Sequence, residues 1–352
     1  MHKIDTQLQS STLYVKNKED DLFYDFFDSS IYDSIIIITN KSIFDYHSNH
    51  EIFNQGHEII FVQDSEDIKN LNFVEKKVEE LILNGCTRNS LLIGVGGGSI
   101  TDFTGFVASI FMRGVPHVFI PTTLLGMVDA SLGGKTGINV SHGKNLIGTF
   151  KQPSSVFIDA SFLETLEKIQ IINGFAEIIK YGLICDANLY NLVEENFDEL
   201  IILNNKKMLN DIITQCCQHK IQIVSKDELD KNHRMILNFG HTVGHALESY
   251  FSYQDINHGD AVYYGMIAAG FISSKLNYLS EKEFKRINQF INSIPKFHLK
   301  NMNVDELLNC MKYDKKKVNN NQHFILLKKI GESVIAENIS KDIIKESLRF
   351  II

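Results

Sequence analysis

The stretch Leu91-Leu92-Ile93-Gly94-Val95-Gly96-Gly97-Gly98-Ser99-Ile100-Thr101-Asp102 decides how the chain folds. An apolar run enters three glycines, and a helix-like segment follows to Arg113. A continuous apolar run suits a strand buried on both faces of a parallel sheet. Glycines at its end let main-chain N–H groups approach a phosphate, and the helix start behind them favours an anion. A second apolar run, Val118-Phe119-Ile120, ends in Pro121-Thr122-Thr123. Asp129, Gly133-Gly134-Lys135-Thr136-Gly137 and Gly143-Lys144-Asn145 follow, reading as polar loops that concentrate cations and hydroxyls. Strand, glycine turn, helix, strand and polar loop is the layout of a nucleotide-binding α/β unit. Ser99 stands where G-x-G-x-x-G needs its third glycine, and G-x-x-x-x-G-K-[ST] is absent from the stretch, which disfavours an NTP hydrolase.

Working outward, residues 12–16, 34–39, 58–62 and 156–159 read as further strands, and 74–84 as a helix with Val74, Val78, Leu81 and Ile82 on its apolar face. The run Ser34 to Thr39 ends at Asn40, at the carboxyl end of a parallel strand, where ligands bind in such sheets. From Leu163 onward helical patterns replace strands and glycine runs cease, apart from a hairpin over 324–338 turning at Gly331-Glu332. The chain therefore divides into an α/β, Rossmann-like nucleotide-binding domain, residues 1–168, and a mostly α-helical metal- and substrate-binding domain, residues 169–352.

Composition sets the outer limits. The 352 residues are 44% hydrophobic, enough to fill the cores of two domains. A net charge of −8 argues against nucleic acid as a partner, although a basic pocket for a small anion fits inside an acidic protein. The five cysteines form no Cys-x-x-Cys pair, which disfavours thiolate zinc sites and suits a reducing compartment. The polar N-terminal residues lack a signal-peptide core, and no apolar run reaches the ~20 residues of a membrane span, so a cytoplasmic protein is expected.

Three segments of the second half carry chemistry. In Gly174-Phe175-Ala176-Glu177-Ile178-Ile179-Lys180-Tyr181, Glu177 and Lys180 share a helix face among apolar neighbours, and a buried carboxylate needs a partner or a metal. In Phe239-Gly240-His241-Thr242-Val243-Gly244-His245, the two histidines stand at i and i+4, a frequent metal-ligand spacing. Thr242 excludes the His-Glu-x-x-His form of a metalloprotease. His258-Gly259-Asp260 adds a third histidine before a helix. One glutamate and two histidines make an open zinc site that polarises a carbonyl or alcohol oxygen. Lys220, Arg234 and the Lys315-Lys316 part of a lysine run whose Lys317 reads as a solvated face supply cations suited to phosphate and carboxylate groups.

With these residues in view, the chain resembles 3-dehydroquinate synthases over nearly its whole length. The match is densest in Gly96 to Asp102, Arg113-Gly114-Val115, Pro121 to Leu125, Gly133 to Asn139, Gly143 to Gly148, Gly174 to Gly182, Leu237 to His245 and His258 to Ala261. The resemblance implies conversion of 3-deoxy-D-arabino-heptulosonate 7-phosphate into 3-dehydroquinate and phosphate, in the shikimate route to chorismate and the aromatic amino acids. In that family NAD takes a hydride from a ring alcohol, phosphate is eliminated, the hydride returns, the ring opens and an aldol step closes the carbocycle.

The resemblance also implies residue roles. Glu177, His241 and His258 are the metal ligands, for Zn2+ with Co2+ able to substitute, and His245 stands near the phosphate and assists proton transfer. Lys135, Asn145, Asn238, His245 and a lysine of Lys315-Lys316 hold the phosphate, Lys220 and Arg234 the carboxylate, and Asp129 and Lys180 the ring hydroxyls. Arg113 reaches the site of a neighbouring subunit, which implies a homodimer. NAD meets Asn40, Glu66, Lys69, Gly97, Gly98, Asp102, Thr122, Thr123, Lys144, Phe162, Leu163, Glu164, Thr165 and Asn173. Asp230 replaces the family's glutamate at a position given an acid–base role, and its side chain is one methylene shorter. Rival readings are another sugar-phosphate cyclase such as an amino-dehydroquinate synthase, a metal-dependent polyol dehydrogenase, and a catalytically dead binding protein. The phosphate and carboxylate set opposes the dehydrogenase, and the intact ligand set opposes the dead protein.

Overall fold

The computed structural model describes residues 2–5, 10–16, 30–63, 65–141, 143–300, 302–312 and 323–352. They fall into two compact units, 1–167 with 213–229, and 168–212 with 230–352.

The first unit is built on a parallel sheet. Its strands are β1 (His2–Asp5), β2 (Ser10–Val15), β3 (Ile35–Asn40), β4 (Glu58–Val62), β5 (Leu91–Gly96), β6 (His117–Pro121) and, after a hairpin of β7 (Lys135–Val140) and β8 (Gly143–Phe150), β9 (Ser155–Ile158). Helix α1 (Lys41–His47) follows β3, α2 (Leu71–Leu83) follows β4 and α3 (Gly98–Ile110) follows β5. The sheet order is β1-β2-β9-β6-β5-β3-β4, with only β1 antiparallel. Every residue of β3, β5 and β6 is buried, in keeping with the apolar runs Ile35–Ile38, Leu91–Val95 and Val118–Ile120, whereas edge strand β4 exposes Glu58 and Phe61. The chain leaves β3 toward β4, then returns to the other side of β3 for β5. This reversal opens a crevice at the carboxyl ends of β3 and β5, where Asn40 and Gly96 stand.

Two local expectations change. The helix-like run to Arg113 ends at Ile110, and a short 3-10 turn, Phe111–Arg113, takes over. The polar loops of 133–150 are an antiparallel hairpin, with Lys135 opposite Phe150 and Ile138 opposite Ile147. Glycines 137, 143 and 148 disguise its alternation in the sequence, yet Ile138 is buried and Ile147 packs on the core. Helix α3 packs against β5, β6 and β7.

Among the described residues the second unit is helical apart from one hairpin. It comprises α4 (Lys168–Cys185), α5 (Ala187–Ile201), the start of α6 (Lys206–Lys226), α7 (His241–Tyr250), α8 (His258–Lys275), α9 (Glu281–Ser293), α10 (Val304–Lys312), the hairpin β10 (Phe324–Lys329) and β11 (Glu332–Ala336), and α11 (Lys341–Ile351). From Ile213 onward α6 packs in the first unit, so residues 213–229 do not stay with the rest of the segment that follows 168. Helix α8 is the centre of the second unit: it is buried from Gly259 to Gly270 and touches α4, α7, α9, α11 and β10. A side chain at Gly265 would run into the carbonyl of Gly240, so α7 and α8 meet backbone to backbone. Among the described residues no helix is long and apolar enough to cross a membrane.

Candidate active site and metal centre

In the first unit the glycine turn is a cradle. A Cβ on Gly96 would press on Ile100, and one on Gly97 would lie 3.1 Å from Thr123 Cγ2. Gly97 caps α3 without a side-chain bond, which leaves the first N–H groups of a 13-residue helix directed outward. Asn40 is 2% exposed; its Oδ1 accepts from Ile43 N at 2.7 Å, while its buried Nδ2 has no hydrogen-bond partner among the described residues. Lys69, equally buried, donates to Asp102 Oδ2 at 2.7 Å and lies 3.6 Å from Glu66. Burial opposes its charge, but the two carboxylates outweigh this and raise its pKa. Glu66 accepts from Ser99 at 2.8 Å and from Asn139 at 2.9 Å. Burial would raise its pKa, yet Lys69, those two donors and Lys144 bring it down.

Thr122 is buried and donates its N–H to Gly96 O at 3.0 Å; Thr123 Oγ1 accepts from Gly126 N at 3.0 Å. Phe162 and Leu163 are buried, Glu164 and Thr165 exposed, and Thr165 Oγ1 lies 2.7 Å from His47 Nε2. A cationic lysine, an unused amide donor and open helix N–H groups form a donor set that suits a dinucleotide. Also in this unit, Lys220 Nζ is bound to Asp129 through its carboxylate at 2.8 Å and its carbonyl at 2.9 Å. Lys135 is exposed at the start of β7, and exposed Asn145 has a left-handed backbone, φ 53°, with its N–H on Asn139 Oδ1 at 2.9 Å. Arg113 is exposed, also with positive φ.

The second unit gathers the metal donors. Glu177 and Lys180 lie one turn apart on α4 and are buried, at 0% and 1% exposure. His241 opens α7 and His258 opens α8. Glu177 Oε1 lies 3.5 Å from His241 Nε2 and 3.4 Å from His258 Nε2, while Lys180 pairs with Oε2. Two ligands ~2.1 Å from a tetrahedral ion stand roughly 3.4 Å apart, so this spacing fits a divalent cation. The far nitrogens are held as metal-ligating histidines require: His241 Nδ1 faces Phe239 O at 3.1 Å and His258 Nδ1 faces Glu248 Oε1 at 3.5 Å. Glu177, His241 and His258 are the one such donor group among the described residues. The i, i+4 pairing of His241 with His245 therefore gives way: tertiary packing substitutes His258, and His245 lies beside His241 with ring centroids 5.4 Å apart. Burial pushes His241 well below its ordinary pKa. It acts the same way on His258, but Glu177 and Glu248 prevail and lift that pKa to about 10.

Of the remaining candidates in this unit, Arg234 is buried, Asn238 and His245 are half-buried, and Asn173 is buried on α4. Asp230 is half-buried with φ 54°. Lys315 and Lys316 lie outside the described residues. Sequence reasoning assigned no role to Glu248, Ser99 or Asn139. A glutamate seven residues after His241, on the same face of α7, was the available signal for the first; the other two are joined to Glu66 only by folding.

Sheet, cradle and donor cluster define a two-part protein, one part fitted for a dinucleotide and the other for a divalent cation. Residues 59–173 match the family model described as 3-dehydroquinate synthase N-terminal, and 174–317 the one described as 3-dehydroquinate synthase C-terminal. The chain is 41% identical to the 3-dehydroquinate synthase of Rippkaea orientalis (strain PCC 8801 / RF-1) over 320 residues, 88% of this chain and 87% of that protein. It is 39% identical to that of Buchnera aphidicola subsp. Baizongia pistaciae (strain Bp) over 323 residues, 90% of each. Among solved structures, a 2-deoxy-scyllo-inosose synthase complexed with carbaglucose-6-phosphate, NAD+ and Co2+ superposes with a TM-score of 0.88 at 26% identity, covering 100% of this chain and 99% of that one. The 2-epi-5-epi-valiolone synthase of Streptomyces hygroscopicus subsp. jinggangensis 5008, with NAD+ and Zn2+ bound, superposes at 0.86 and 25% identity, covering 99% and 98%. The chain belongs to the 3-dehydroquinate synthase family.

Proposed function

We propose that this protein is a 3-dehydroquinate synthase, a phosphate-eliminating lyase that converts 3-deoxy-D-arabino-heptulosonate 7-phosphate into 3-dehydroquinate and phosphate in the shikimate pathway. One contrast carries the choice among cyclases. Relatives bearing that name reach 41% identity, whereas the cyclases of inosose and valiolone type stand at 26% and 25%.

NAD, when bound, supplies reversible hydride acceptance, and a divalent cation at Glu177, His241 and His258 supplies a Lewis acid. The His2Glu set favours zinc, with cobalt able to substitute. The chain's own residues do the rest. In the first unit, Lys135 and Asn145 bind phosphate, Lys220 binds carboxylate, and Asp129 accepts from a ring hydroxyl. The Lys220–Asp129 pair fixes both groups before substrate arrives, so less reorganisation is needed on binding. In the second unit, Arg234 binds carboxylate, Asn238 and His245 bind phosphate, and Lys180 places a positive charge where an alcohol oxygen loses its proton. Its pairing with Glu177 Oε2 leaves Oε1 for the cation. Elimination moves a proton onto the departing phosphate, and His245 and Asp230 take part in proton transfer. Asn40, Glu66, Lys69, Asp102, Thr122, Thr123, Lys144, residues 162–165 and Asn173 bind the dinucleotide. Arg113 serves the site of a second copy in a homodimer, and the enzyme works in the cytoplasm.

The test is phosphate release from 3-deoxy-D-arabino-heptulosonate 7-phosphate with sub-stoichiometric NAD, with and without a chelator. Dehydroquinate and phosphate in many-fold excess over NAD, both lost on chelation, are the expected result. NADH accumulating without phosphate would point to a dehydrogenase. No turnover by the metal-loaded enzyme would indicate a cyclase of another sugar phosphate, such as an amino-dehydroquinate synthase.

A further inference from the structure

Helix α3 ends in an unusual backbone path. Met112, Arg113 and Gly114 have φ of 48°, 67° and 116°, three consecutive residues in the left-handed half of the map. Only the last is glycine, so Met112 and Arg113 hold conformations that side chains disfavour. Such a turn persists only where its surroundings over-determine it.

Lys151 supplies that constraint. Its Nζ donates to Ala108 O at 3.0 Å and to Val115 O at 2.7 Å, the two carbonyls that bracket the turn. Ala108 O also accepts from Val115 N at 2.9 Å, so the ammonium completes a closed loop around residues 109–114. A Cβ on Gly114 would lie 3.2 Å from Nζ, which shows how closely the turn wraps it. The charge also sits at the C-terminus of α3, where orphan carbonyls and the helix dipole favour a cation. The main-chain N–H of Lys151 donates to Gly134 O at 2.8 Å, immediately before Lys135. One residue thus ties together the segments that carry Arg113 and Lys135.

We propose that Lys151 is a positioning residue that locks the strained Met112–Gly114 turn and so presents Arg113 to substrate. The inference rests on the reading of Arg113 as a substrate-binding cation. Lys151 itself is half-buried with both carbonyls on its ammonium, and burial lowers its pKa. It acts through the main chain of the turn.

Lys151→Met keeps the stem and removes the donors; Lys151→Arg keeps charge and donors. Steady-state kinetics of phosphate release on these variants, on Arg113→Ala and on the Arg113→Ala/Lys151→Met double variant test the idea, each protein being checked by circular dichroism. Lys151→Met should raise KM on the order of tenfold or more. It should share the KM-against-kcat split of Arg113→Ala, Lys151→Arg should restore most of the loss, and the double variant should be no worse than Arg113→Ala alone. Multiplying losses in the double variant would overturn the positioning role while leaving Arg113 at the substrate. Wild-type kinetics in Arg113→Ala would instead remove Arg113 from the site, and the clasp's purpose with it. If Lys151→Met does not fold, Lys151→Gln decides: it retains N–H donors without the charge, and wild-type kinetics from it would show that the cation is not needed.

Discussion

His258 Nδ1 lies 3.5 Å from Glu248 Oε1, so a buried carboxylate stands behind the imidazole whose other nitrogen faces Glu177. In a metal site such an arrangement would fix the tautomer and ring direction of His258 as a ligand. Glu248→Gln should therefore weaken zinc affinity about 10–100-fold while leaving the helical content intact. Competition against a chromophoric chelator measures it, and unchanged affinity would mean that Glu248 is only a packed carboxylate.

Removing a ligand itself should act more sharply. Glu177→Gln or His258→Ala should abolish cation binding and turnover without unfolding the chain. Metal content by mass spectrometry, read beside circular dichroism, is the check. Full activity in either variant would end the three-ligand assignment. Glu177→Gln carries a second cost, because Lys180 loses the carboxylate that pairs with it in a buried place. Uncompensated buried charges destabilise by about 3–5 kcal/mol, so this variant should melt earlier than His258→Ala.

His117 begins β6 fully buried, with neither ring nitrogen hydrogen-bonded among the described residues. Burial first, and then the nearby Lys151, lower its pKa to about 3. A folded-state pKa below the unfolded one means that the unfolded chain binds the proton more tightly. The stability held above pH ~6.5 is then lost as pH falls toward about 3, by at most ~1.4 kcal/mol per unit from this group. His117→Phe keeps the ring beside Phe119 and removes the titration. Urea midpoints measured from pH 7 to 4 should fall less steeply in the variant; parallel curves would count against the assignment.

Gly265 sits where α8 crosses α7, against the carbonyl of Gly240. Gly265→Ala must push the two helices apart, since the obstructing atom is backbone. Overpacking of this kind costs about 1–3 kcal/mol. Because α7 and α8 carry His241 and His258 at their first residues, zinc affinity should fall together with the melting temperature. A loss of stability with unaltered metal binding would show that the ligands do not depend on this crossing.

Much of this was legible in the chain because it depends on local pattern. The apolar runs Ile35–Ile38 and Leu91–Val95 announce strands buried on both faces, and the strand read at 58–62 is β4. The 324–338 hairpin was marked by Gly331, whose φ of 85° suits a glycine turn. The hairpin β7–β8 was hidden because its glycines and lysines resemble loop composition, and only contact with α3 and the core gives Ile138 and Ile147 a buried side. The candidate metal site shows the same limit. Helical periodicity favours a partner four residues away, so it selects His245 for His241, whereas the pairing with His258 crosses seventeen residues and two helix starts.

The sequence by itself determined the two kinds of structure, the glycine cradle and the stock of carboxylates, imidazoles and cations, because strand, helix and turn preferences act over a few residues. Only the tertiary structure decided which of those groups meet. Glu177 comes from α4, His241 from α7 and His258 from α8, and they converge because glycines 259 and 265 let α8 approach Asn173 and Gly240 at backbone distance. Lys151 finds Ala108 and Val115 for a similar reason: its partners are main-chain carbonyls, which every residue has and no sequence pattern marks.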